Sequence, residues 1–85
     1  MVTSIIAVVA AVYEGEYRIH LRFNDGSSKT VDFSRWLHGT VFKPLAPVEE
    51  FQRFFIAGGT VCWPNGADIA PETLHAAQDV SATAA

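Results

Sequence analysis

A chain of 85 residues with 49% hydrophobic composition makes one small domain and argues against disorder of the whole chain. Its net charge of −3, with six Lys and Arg spread along the chain, counts against a nucleic-acid surface or an anionic membrane as partner. The single cysteine, Cys62, excludes an internal disulfide and suits a reducing cytoplasm, the expected location.

Ile5 to Tyr13 is an unbroken apolar run of nine residues. It has the length of a signal-peptide core, but no Lys or Arg precedes it, and the first basic residue is Arg18. It is far shorter than the roughly 20 residues a membrane-spanning helix needs. A β-strand is the expected outcome, with no membrane partner.

Residues 17–23, YRIHLRF, alternate strictly: Tyr17, Ile19, Leu21 and Phe23 against Arg18, His20 and Arg22. That is the pattern of a half-buried strand. Asn24-Asp25-Gly26 follows, then a second alternating stretch with Val31 and Phe33. A three-residue loop with Gly26 left-handed pairs Ile19 with Val31, Tyr17 with Phe33, His20 with Thr30 and Arg18 with Asp32. A two-residue loop would put Asp32 among the apolar side chains.

A tight Glu14-Gly15 turn joins the first strand to this hairpin. It predicts Val12 opposite Tyr17, Ala10 opposite Ile19, Val8 opposite Leu21 and Ile6 opposite Phe23. Ile5, Ala7, Val9 and Ala11 then line the other face, beside Arg18, His20 and Arg22. That second face is too apolar to be left to water, so later chain or another molecule should cover it.

Ser34 is expected to cap a single helical turn that Gly39 ends. Pro44 and Pro47 keep the next stretch irregular, and Pro47 opens a short helix with Val48, Phe51 and Phe55 on one face. Gly58-Gly59 turns a second hairpin that pairs Ile56 with Val61, Phe54 with Trp63 and Phe55 with Cys62. Trp63-Pro64-Asn65-Gly66 then turns the chain, with Asp68 expected to accept backbone N–H bonds as Asx residues do. Pro71 opens a closing helix. The expected domain is 1–79, with residues 80–85 a frayed tail.

FNDGSSKTVDFS, the FKPL segment and above all CWPNGADIAPETL resemble the bacterial "domain of unknown function 2442" family, over roughly residues 5–75. The resemblance implies a small α+β domain with an antiparallel sheet. It also implies short bacterial proteins, some with an added helix-turn-helix domain, for which this chain is too short. Some relatives lie beside a second small protein, which suggests toxin–antitoxin-like partnering. It implies no catalytic residues.

Reactive chemistry has few candidates. Cys62 with His20, His38 or His75 has the residue types of a thiol nucleophile and base, but a strand Cys between Val61 and Trp63 reads better as a small apolar filler. The three histidines lack metal-ligand spacing. Arg18, His20 and Arg22 share a strand face that suits a phosphate backbone or an acidic partner, or is a solvated face with Arg18 paired to Asp32. Trp63, Pro64, Asn65, Gly66 and Asp68 read as a structural turn rather than a site. Trp63 and Trp36 read as core aromatics rather than stacking platforms. The glycines make no phosphate loop.

The resulting expectation is an α+β fold: an antiparallel sheet of about five strands, made of a three-strand N-terminal meander and a second hairpin, with two or three short helices. The expected function is a non-catalytic protein-interaction module, joining itself or a small partner through Ile5, Ala7, Val9, Ala11, Arg18, His20 and Arg22, with no cofactor and no metal. A small-ligand or enzymatic domain using Cys62, a His and Asp68 is the alternative. Nucleic-acid binding through Arg18, His20 and Arg22 comes third.

Overall fold

A computed structural model describes residues 5–80. Five strands run in chain order: β1 (Val8–Tyr13), β2 (Arg18–Phe23), β3 (Ser28–Asp32), β4 (Phe55–Ala57) and β5 (Thr60–Cys62). Three short helices accompany them: α1 (Gly39–Phe42), α2 (Val48–Phe51) and α3 (Pro71–Ala76), with single 3-10 turns at Ser34–Trp36 and Lys43–Leu45. The fold is α+β and antiparallel, as expected.

The strands divide into two sheets, β1-β2-β3 and β4-β5, where a sheet of about five was expected. The backbone hydrogen bond that joins them is Val8 N–H to Gly59 O, 2.7 Å. That bond reaches the turn of a hairpin whose strands are three residues each, and it does not extend into a ladder among the described residues. Gly59 is left-handed, and a Cβ there would lie 3.2 Å from the Ala7 Cβ, so glycine permits this close approach.

The β2–β3 register is the expected one, with Ile19 opposite Val31, His20 opposite Thr30 and Arg18 opposite Asp32. Gly26 is left-handed (φ 89°), and Phe23 N–H donates to Ser27 O. The β1–β2 register differs from expectation. The connection is a four-residue loop, Glu14–Tyr17, closed by Arg18 N–H to Gly15 O and Glu14 N–H to Arg18 O. Gly15 and Glu16 both take positive φ. Tyr13 therefore faces Ile19, Ala11 faces Leu21, and Val12 faces His20. An odd shift of register turns every side chain to the opposite face. Ala11 and Tyr13 turn inward, and Ala10 and Val12 turn outward. An irregularity between Val8 and Ala10 restores Val8 to the core, opposite Phe23.

Phe51, fully buried, is the centre of the core. Tyr17, Phe33, Trp63, Tyr13 and Phe54 surround its ring at centroid distances of 5.2, 5.7, 5.7, 6.3 and 6.4 Å. Burying Tyr13 against this cluster removes far more apolar area from water than burying Val12 would, which favours the longer loop. Trp63 Nε1–H donates to Phe51 O at 2.8 Å, so the indole is buried without an orphaned donor.

Gly39, expected to end a helical turn, instead begins α1, and its φ of 85° explains the glycine. Val80 N–H donates to Thr30 O, so the chain is still attached to β3 at the first residue of the expected tail. Residues 81–85 of that tail lie outside the described residues.

Candidate interaction surface

The outer face of the β1-β2-β3 sheet carries Ala10 and Val12 from β1, Arg18, His20 and Arg22 from β2, and Ser28, Thr30 and Asp32 from β3. Val12 is 58% exposed, and Val9, at the β1 irregularity, is 54% exposed. Small residues leave a shallow groove of about 480 Å³ lined by Ala10, Val12, His20, Arg22, Gly26 and Ser28.

Of the residues expected to line this face, Arg18, His20 and Arg22 stand where expected. Ala11 does not: it sits opposite Leu21 and packs against the core. Ala7 is half-buried next to Gly59. Ile5 is 73% exposed, and its carbonyl accepts the Asn24 amide at 2.7 Å. Asn24 also accepts Ala7 N–H through its side chain and donates its own N–H to Ala7 O. One side chain thus carries the pairing of β1 past its end. Val12 and Ala10 were missed because the four-residue loop was read as two; the paired left-handed positions at Gly15 and Glu16 carry little signal in sequence.

The polar side chains on this face are unequally committed. Buried Thr30 donates its hydroxyl to Glu14 Oε1 at 3.1 Å and meets His20 Nδ1 at 3.0 Å. A hydroxyl has one proton to give, so His20 Nδ1–H must donate, and Nε2 is left for another partner. Asp32 accepts Ser34 N–H at 2.9 Å. Among the described residues the ion pairs are Arg53–Glu50 and His75–Asp25, so Arg18 is not bridged to Asp32, and exposed Arg22 has no carboxylate.

Asp25 lies in the turn next to Arg22 yet is directed elsewhere. Its Oδ1 accepts the Ser27 hydroxyl (2.6 Å) and Ser27 N–H (2.9 Å), and its Oδ2 meets His75 Nε2 at 3.0 Å. These bonds, the Ser27 hydroxyl first, hold its pKa down at about 2. His75 stacks edge-on against Phe23 (4.9 Å), and Lys29 donates from Nζ to the carbonyls of His75 and Ala77. The cluster docks α3 on the β2–β3 hairpin.

Ser27, His75 and Asp25 have the residue types of a hydrolytic triad but not its wiring. His75 uses the same nitrogen toward Asp25 and, at 3.5 Å, toward Ser27, and the serine proton goes to the aspartate. A triad needs the acid on one ring nitrogen and the nucleophile on the other.

In the C-terminal bend, Gly66 N–H donates to Trp63 O and closes the turn. The Asx acceptor is Asn65, not Asp68. Asn65 Oδ1 accepts Ala67 N–H at 3.1 Å, and its amide donates to Val41 O at 2.9 Å. Asp68 bridges Cys62 through the backbone, and its exposed carboxylate has no hydrogen-bond partner among the described residues.

A family profile matches residues 8–78, from the first residue of β1 to just past α3. The chain belongs to the family described as protein of unknown function (DUF2442). No curated protein and no solved structure matches it. The match covers every described strand and helix of this DUF2442 domain, including all three hairpin turns and the Asn65 bend.

The remaining candidates in this DUF2442 chain do not assemble. Cys62 Sγ is directed at Ala57 O and Thr60 O, while His20 and His75 are held by Thr30 and Asp25. No group of three or more His, Cys, Asp or Glu among the described residues is arranged to hold a metal. Half-buried Trp36 packs on Phe33 at 5.3 Å and has Arg35 over its ring at 5.4 Å. No described helix is long and apolar enough to cross a membrane.

Proposed function

We propose that this chain is a cytoplasmic, non-catalytic interaction module that docks another protein chain on the outer face of its three-stranded sheet. The observation that carries this reading is the exposure of Val9 and Val12 beside Arg22, which has no ion-pair partner among the described residues. An apolar centre with a polar rim is the composition of a protein interface. In the −3 chain, Asp32 lies opposite Arg18 and the Glu14 carboxylate is bound to Thr30 beside His20, which favours a protein partner over a phosphate backbone.

The test is a photo-reactive side chain placed at Val12 in the producing cells, with one at exposed Glu49 as control. The expected result is a defined cross-linked peptide from position 12 and none from position 49. An absence of adducts at position 12 overturns the reading.

A further inference from the structure

A recess lies between the 3-10 turn at Ser34–Trp36 and α3, and it shares no lining residue with the groove on the sheet. Its volume of about 650 Å³ is in the range of small-molecule sites. Both walls are fixed by contacts outside it. Trp36 packs edge-on against buried Phe33, and Asp32 accepts Ser34 N–H. His75 ties α3 to Asp25 of the β2–β3 hairpin, and Lys29 donates to Ala77 O just past the helix. The short side chain of Ala76 keeps the α3 side of the recess open.

The polar groups that line this recess are uncommitted. Arg35 lies over the Trp36 ring at 5.4 Å, and Glu72 stands in the first turn of α3. Neither has an ion-pair partner among the described residues, and they are not paired with each other. The side chains of Thr73 and Gln78 and the Trp36 indole N–H also have no hydrogen-bond partner among the described residues. A guanidinium that leans on an indole keeps its N–H donors, which match a carboxylate in a two-point grip. Glu72 repels a simple anion, and Arg35 repels a simple cation. A ligand that carries both charges suits both residues.

We infer that this recess binds a small zwitterion of the amino-acid class, with its carboxylate on Arg35, its ammonium on Glu72 and an apolar side chain against Trp36 and Ala76. The site is separate from the sheet face, so neither reading depends on the other. Charged contacts in a recess open to solvent are weak, and dissociation is expected in the millimolar range.

The test follows the two indole N–H signals by NMR while L-phenylalanine is added up to about 20 mM, at about pH 6 where its carboxylate is ionised and its amine protonated. Phenylalanine amide, which lacks the carboxylate, and N-acetylphenylalanine, which lacks the ammonium, are titrated beside it. Trp63, whose indole donates to Phe51 O in the core, is the internal control. The Trp36 signal should move saturably with L-phenylalanine while that of Trp63 stays in place, and each blocked ligand should bind about threefold more weakly or worse. In Arg35→Gln the free amino acid should lose its advantage over the amide, and in Glu72→Gln its advantage over the N-acetyl form. Circular dichroism confirms folding. Ala76→Leu, which fills the recess and leaves both charges, should abolish binding and replaces either variant that does not fold. No saturable movement of Trp36, equal binding of the three ligands to wild type, discrimination that survives the charge substitutions, or binding that survives Ala76→Leu overturns the inference.

Discussion

Replacing Asn65 by Ala tests whether the Trp63–Asp68 bend is held by its asparagine. The substitution removes the acceptor of Ala67 N–H and the donor to Val41 O. Ala67 is buried, so its N–H loses a partner that water replaces poorly, at about 1–2 kcal/mol. The Val41 bond is exposed, and water substitutes for it, adding about 0.5 kcal/mol at most. The sum, about 1–2.5 kcal/mol, is a large share of the roughly 4–13 kcal/mol expected for a domain this size. In urea unfolding the midpoint should fall with an unchanged slope, and the melting temperature should drop by about 4 to 20 °C. Asp68→Ala, at an exposed carboxylate without a hydrogen-bond partner among the described residues, should change stability by less than about 0.5 kcal/mol. Asn65→Asp keeps the acceptor and should recover most of the loss. If Asp68→Ala destabilises as much as Asn65→Ala, the assignment of the Asx role to Asn65 is wrong.

Two further outcomes follow from the geometry. Asp25 is held at about 2, below its ordinary 3.8, so it favours the folded state above pH 3.8 and loses that contribution as pH falls through about 2. Acid unfolding of Asp25→Asn should therefore show a shallower dependence on pH between about 4 and 2 than wild type; equal slopes would count against the Ser27–Asp25–His75 cluster. Ala11→Glu buries a carboxylate against the core and should lower the melting temperature steeply, whereas Val12→Glu and Val9→Glu should leave the monomer folded and weaken association. A folded Ala11→Glu variant with an unchanged melt would refute the β1 register.

The β2–β3 hairpin was fully legible in the sequence. Strict alternation, a three-residue Asn-Asp-Gly loop and the need to keep Asp32 out of the core leave a single register. The β4–β5 pairing was legible for the same reason, because Gly58-Gly59 determines which residues oppose each other. What sequence could not reach was the face of β1. Its run of Ile, Ala and Val has no polar alternation, so either face suits the core locally. The choice falls to the burial of Tyr13 against Phe51, a contact about 40 positions away in sequence, and to the irregularity at Val9 that lets Val8 and Ala11 both face inward. The same distance hides the turning of Asp25 toward His75, which leaves Arg22 without its nearest acid. Short-range alternation and turn chemistry sufficed where each strand had a polar side; packing alone assigned sides to a strand without one.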